Sequence, residues 1–92
     1  MHVWVLNTFT RDDEFCEHDS NIVAVYSKEH FQQARKHFSE LCNANILDDE
    51  DEDVKCETSR WKDENGYHFS SELEGYNGFK QNYVGLKKME LM

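Results

Sequence analysis

Six consecutive carboxylates, Asp48-Asp49-Glu50-Asp51-Glu52-Asp53, restrict most tightly what this chain can become. Unperturbed Asp and Glu titrate near about 4, so each carries a full negative charge at pH 7. Carboxylates are almost never buried without a partner, and six in succession leave no room for one. The run therefore has to lie at the surface, between two folded halves of the chain. It is either a solvated loop, the commoner fate of a charge run, or a surface made to meet positive charge.

Upstream of the run, residues 2–8, with Phe9 as the outer limit, alternate as a strand. Val3, Val5 and Asn7 lie on one face and Trp4 and Leu6 on the other. Apolar residues on both faces predict a strand covered on each side. Residues 8–20 read as a polar connection, followed by a β-branched strand over Asn21–Tyr26. Ser27 stands where a helix N-cap belongs, with Glu29 in the first turn. The helix is expected from Lys28 to about Leu41. Phe31, Ala34, Phe38 and Leu41 form its apolar stripe, and Lys28, Arg35 and Lys36 lie on its outer side.

Downstream, Val54, Cys56 and Thr58 alternate with Lys55, Glu57 and Ser59 in a half-exposed strand reaching Trp61. Residues 62–66 predict a hairpin connection, with Asn65-Gly66 supplying the positive-φ positions. Tyr67, Phe69, Ser71 and Leu73 line one face of the returning strand, which residues 75–78 interrupt. A last extended segment runs from Tyr83 to Leu91. The expected fold is a single α+β domain over residues 1–92: a small, mostly antiparallel sheet (β-β-α-β-β-β) with one main helix packed on it.

An apolar fraction of 38% and an aromatic fraction of 13% supply a core, so disorder of the whole chain is not expected. The formal charge of −9, from 19 acidic and 10 basic residues, argues against nucleic acid or anionic lipid as the direct ligand. It favours solubility, or a basic protein as partner. Cys16, Cys42 and Cys56 are odd in number and show no paired spacing. The opening residues lack the basic start and long apolar run of a signal peptide. No stretch approaches the roughly 20 apolar residues that cross a bilayer. These features predict a cytoplasmic protein with reduced thiols.

Three chemistries can be set against these residues. A calcium loop needs Gly at its sixth position and Glu at its twelfth. Starting from Asp49 those positions hold Val54 and Arg60, and starting from Asp48 they hold Asp53 and Ser59, so both registers fail. Cys16-Glu17-His18 offers two zinc ligands, but no second Cys/His pair stands at ligand spacing, and His2, His30, His37 and His68 are scattered. No Gly-rich phosphate loop or Ser/His/Asp pattern accompanies the carboxylates, so no enzyme activity and no cofactor is expected.

The acidic residues themselves fall into three clusters. These are Asp12, Asp13, Glu14, Glu17 and Asp19; Asp48, Asp49, Glu50, Asp51, Glu52 and Asp53 with Glu57; and Asp63, Glu64, Glu72 and Glu74. B-DNA carries a phosphate about every 3.4 Å of each strand, and an extended chain advances about 3.3 Å per residue. Carboxylates on extended backbone thus approach the charge density of one DNA strand. In this the chain resembles the acidic DNA-mimic proteins of bacteriophages, most nearly the Arn-type anti-restriction proteins of T-even phages. The likeness lies in length, acidity and lack of a catalytic signature.

That resemblance implies a homodimer that imitates duplex DNA in the infected bacterial cell. It would block a host restriction endonuclease specific for modified cytosine and bind a histone-like nucleoid protein. Lys28, Arg35, Lys36, Lys55, Arg60 and Lys62 would have to lie outside the mimic surface. The segment 75–91, with Tyr76, Phe79, Tyr83 and Val84, is the expected dimer face. The opening strands and helix also resemble small phage and bacterial domains of β-β-α type. That likeness leaves open an adaptor that binds a partner without imitating DNA.

Overall fold

Trp4 and Leu6 alternate with Val3 and Val5 at the start of β1 (His2–Asp12), and the alternation fixes which way each side chain points. The computed structural model describes residues 1–51, 53–75 and 78–91. β1 turns through residues 13–16 into β2 (Glu17–Ser27), with Cys16 at a left-handed φ of 54°. A 3-10 turn, Lys28–His30, leads into α1 (Phe31–Ala44). After the acidic run come β3 (Lys55–Asp63), β4 (Gly66–Gly75) and β5 (Gly78–Glu90). The five strands form one antiparallel sheet in the order β2-β1-β5-β4-β3 with a single α-helix, an α+β fold.

Residues directly opposite each other in antiparallel strands share a face, so the register sorts the sheet into two sides. Leu6 faces Ala24 and Leu86, Leu86 faces Tyr67, and Val84 faces Phe69. This side meets α1. Leu6, Val84, Leu86 and Phe69 are fully buried there against Ala34, Phe38 and Cys42. Trp4 packs on Phe31 with ring centroids 4.6 Å apart, closing one edge of the core. Cys42 extends the helix stripe at i+4 from Phe38, beside the expected Leu41.

The opposite side carries Val3, Val5, Val25, Tyr83, His68 and Trp61, and no described element lies over it. Val25 is 59% exposed and Met89 53% exposed. The strand covered on both faces, expected from the apolar residues of β1, is therefore covered on one. A single helix of 14 residues spans only one side of five strands. Val84 points into the helix-side core, which removes it from the expected dimer face, whereas Phe79 and Tyr83 lie on the open side. Tyr76 lies outside the described residues.

Other expectations are corrected in their limits. The polar connection over residues 8–20 contracts to the turn at 13–16, because pairing continues through Thr10↔Asp19, Arg11↔His18 and Asp12↔Glu17. A ladder satisfies the backbone whatever the side chains are, so polar residues ride on it here, half-buried rather than in the core. β5 begins at Gly78 rather than Tyr83 for the same reason. β3 is exposed along its whole length, not half-buried, because it is an edge strand that α1 does not cover. Ser27 gives no side-chain cap; its Oγ bonds His30 Nδ1 at 2.7 Å. β2 carries one extra residue near Val23, a bulge set by Leu6↔Ala24 and Asn7↔Ile22.

The β3–β4 hairpin turns on Glu64-Asn65, with Asp63 opposite Gly66. Only Gly66, at φ 145°, has positive φ here; Asn65 does not. A Cβ at Gly66 would also collide with the carbonyl oxygen of Leu86 on the neighbouring strand. Gly66→Ala should therefore lower stability by on the order of 2–3 kcal/mol, combining backbone strain with a forced shift of β5. Urea unfolding followed by tryptophan fluorescence checks it; unchanged stability would refute the close approach.

Candidate functional site

The chain brings its acidic clusters together through topology. The β1–β2 turn, the paired ends of β4 and β5 at Gly75 and Gly78, and the α1–β3 loop all meet at one end of the sheet. Asp13 donates its backbone N–H to Phe79 O at 3.0 Å, tying the first turn to the start of β5. A cavity of about 210 Å³ there is lined by Glu14, Asp49, Asp51, Gly75, Gly78 and Lys80, among others. Asp12, Glu17 and Asp19 line a neighbouring hollow with Leu47, and Asp53 and Glu74 another with Lys55. Asp48 and Glu50 are exposed in the same loop. Glu52 lies outside the described residues.

The remaining predicted residues are distributed differently. Glu57 on β3 faces Glu72 on β4 on the open side of the sheet. Like charges directly opposite are unfavourable, and Gln81 Nε2, donating to Glu72 Oε1 at 3.3 Å, offsets part of that. Asp63 and Glu64 stand in the hairpin at the far end, separated from the rest by the length of β4. The third acidic cluster is thus split, and its Asp63-Glu64 half is not part of the acidic end.

The described residues of the acidic run form no strand, with a bend at Glu50 and a turn at Asp53. Asp49 N–H donates to Asp48 Oδ1 at 2.9 Å, Asp51 N–H to Asp49 Oδ1 at 2.9 Å and Asp53 N–H to Asp51 Oδ1 at 3.0 Å. Asp side chains capture nearby backbone donors in this way, and the bonds from Asp51 and Asp53, each to the Asp two residues before, are Asx turns. The expected match to the rise of a DNA strand therefore fails within the run. Charge density here comes from two elements converging, not from one extended line.

Of the few basic residues at this end, Arg11 and Lys80 are engaged by carboxylates. Arg11 Nε and a second guanidinium nitrogen reach both oxygens of Asp13, at 2.8 and 3.2 Å. Lys80 Nζ stands 3.8 Å from Asp12 and 4.0 Å from Glu14. The other cations named as interruptions, apart from Lys55, lie on the 3-10 turn, on α1 or further along β3.

A polar cluster on the open side escaped sequence reading. Asp63 Oδ1 lies 2.9 Å from His68 Nε2, and His68 Nδ1 lies 2.6 Å from Tyr83 Oη. Trp61 stacks on His68 with centroids 5.2 Å apart and planes 15° from parallel. The pattern assigns the hydrogens: Tyr83 O–H donates to Nδ1, and Nε2–H donates to Asp63. Burial first, and then Asp63, push the Tyr83 phenol above its ordinary pKa, which favours the protonated phenol as donor. Gly85 makes the room: a Cβ there would sit 2.7 Å from Tyr83 Oη and from Asn7 Oδ1. Only the recurrence of Asp63, His68 and Tyr83 across paired strands marks this cluster, and pairing is invisible until register is known.

Among the described residues, no three His, Cys, Asp or Glu side chains converge as a metal-binding group. No described helix is long and apolar enough to cross a membrane. All three cysteines are free, and burial pushes the Cys42 thiol up to about 11. Fold and surface together define a one-helix, open-faced antiparallel sheet with a strongly acidic end. No protein-family model, curated protein or solved structure matches this chain.

Asp63 also takes the N–H groups of Asn65 and Gly66, at 2.8 and 3.1 Å. Its carboxyl is held below the usual range, chiefly by the hydrogen bond from His68. A depressed folded-state pKa contributes stability above the unfolded value of about 4, and that contribution is lost as pH falls through the folded value. Asp63→Asn should thus be less stable than the parent at pH 7, with the gap closing in acid. Urea unfolding at neutral and acidic pH, read by Trp61 and Trp4 fluorescence, tests it; a gap independent of pH would refute the assignment.

Proposed function

We infer that this protein is a DNA-mimic inhibitor that occupies the DNA-binding surface of a host restriction endonuclease, a histone-like nucleoid protein, or both. The observation that supports this most is the meeting of the Asp12–Asp19 hairpin and the Asp48–Asp53 loop at one end of an elongated body. That body measures 47 × 22 × 20 Å, a girth close to that of a duplex and a length of roughly 14 base steps at about 3.4 Å each. A basic groove shaped for DNA would meet carboxylates from two chain segments at once. The field would be screened beyond about 8–10 Å at physiological salt, so binding should weaken steeply as salt rises. The setting this reading implies is the cytoplasm of an infected bacterium.

Two copies extend the imitation, doubling the formal charge of −9. The open side of the sheet is the face to join, with Val25, Met89, Phe79 and Tyr83 on it and Glu57, Glu72 and Glu74 confined to its acidic end. The same exposed apolar residues favour the second reading, an adaptor that grips its partner through this side. In an adaptor, the acidic end would be dispensable for binding.

Neutralisation at equal net charge separates the readings. Asp49→Asn/Asp51→Asn/Asp53→Asn keeps the Oδ1 acceptors of the Asx turns while removing three charges. Glu29→Gln/Glu40→Gln/Glu90→Gln removes three elsewhere. In competition with DNA for one target at about 0.15 M salt, the first should weaken binding roughly ten- to a hundredfold and the second little. Equal weakening would reduce the effect to bulk charge, and no weakening by the first would favour the adaptor.

For assembly, light scattering at micromolar concentration should report about twice the 11.0 kDa chain mass. Val25→Lys should shift it toward the single chain. A parent protein that scatters only as a monomer would rule the dimer out.

A further inference from the structure

A groove of about 330 Å³ between α1 and β3 is lined by Arg35, Phe38, Arg60, Lys62 and Tyr67, with Ser39, Trp61 and His68 at its margin and no carboxylate among its lining residues. In a chain of net charge −9 this is the reverse of the prevailing field. None of the three cations has a carboxylate partner among the described residues. They are held instead by rings and an amide. Arg35 lies 5.1 Å and Lys62 5.3 Å from the centroid of the same Tyr67 ring, one from the helix and one from the edge strand. Arg60 lies 5.5 Å from the Phe69 centroid and donates to Asn43 Oδ1 at 3.3 Å.

Cations stacked on aromatic faces keep their remaining N–H donors directed to a further acceptor. Two guanidinium groups and an ammonium converging on one hollow repel each other until an anion lies between them. Guanidinium forks match the oxygens of a phosphate bidentately, and Lys adds a point charge. A bare phosphate would leave most of this volume to water, whose share is about 30 Å³ per molecule. Phe38 and Tyr67 give the groove an apolar part, the usual make-up of a small-molecule site with a few convergent polar groups.

We propose that this groove binds a small phosphate monoester with a compact ring, of the nucleoside monophosphate class, through Arg35, Arg60 and Lys62. A free ester fits better than the phosphorylated end of a nucleic acid, because the long polyanion would run against the acidic surface of the same molecule. The proposal does not depend on DNA mimicry, since it uses a different face and different residues.

Titration calorimetry with AMP, with inorganic phosphate and with a 5′-phosphorylated oligonucleotide tests it on the full chain. AMP should bind saturably at millimolar concentration or below, more tightly than inorganic phosphate and more tightly than the oligonucleotide. Arg35→Gln and Lys62→Gln, made separately, should each weaken AMP about tenfold or more, while the thermal midpoint confirms folding. Lys36→Gln, on the helix but outside the groove, should leave binding unchanged. No AMP binding would overturn the proposal, as would equal loss with Lys36→Gln. Inorganic phosphate binding as tightly as AMP would overturn the assignment to an ester, and tighter oligonucleotide binding would overturn the assignment to a free one.

Discussion

One helix has to cover five strands, and most of this molecule follows from its failing to cover both sides of them. Ala34, Phe38 and Cys42 supply the helical contribution to the core, and Leu6, Phe69, Val84 and Leu86 supply the sheet's. Small domains bury only a modest fraction of their unfolded surface, so losing one whole sheet face to solvent is a heavy concession. The open side compensates with polar and aromatic contacts. His68 is nearly buried between Trp61, Asp63 and Tyr83, and Gln81 bridges Ser70 and Glu72. Tyr83 lies over Gly85, so the residue without a side chain becomes the bed for a phenol.

Charge is segregated by the same geometry. Connections at one end of the sheet carry carboxylates, while Arg35, Arg60 and Lys62 gather in the groove between α1 and β3. A formal charge of −9 averages these two regions and conceals both. Exposed ion pairs contribute little to stability, so the separation is better understood through what each region attracts than through what it holds together. Arg11 and Lys80 are exceptions, each engaged by the acidic hairpin and limiting repulsion within it.

Much of the fold is legible in the sequence because periodicity is local. The stripe of Phe31, Ala34 and Phe38 marks the helix, and Phe69, Ser71 and Leu73 mark the buried side of β4. What escapes depends on partners distant in sequence. The first hairpin reads as a loop, because Arg11, Asp12, Glu17 and Asp19 look like loop residues until each is paired. Apolar Val3 and Val5 suggest a second covering layer that no described part of the chain supplies. The acidic run is recognisable as surface, but its Asx turns and its meeting with Glu14 depend on backbone direction. Asp63 looks like one more surface charge, whereas three hydrogen-bond donors converge on it.

The strand order has a consequence for the life of the chain before it is folded. β1 lies between β2 and β5, so residues 2–12 pair with residues 80–90. Both hairpin systems, β1–β2 and β3–β4–β5, are assembled from local turns and form early. The seam between them is the most sequence-distant contact the sheet makes. A nascent chain leaving the ribosome holds β1 with one edge open until residues 80–90 have been synthesised. Through that interval Leu6 and Trp4 have no sheet partner on one side, and an exposed edge is a template for wrong pairing. With no proline among these 92 residues, nothing slow in the backbone prolongs the wait beyond the time the ribosome takes.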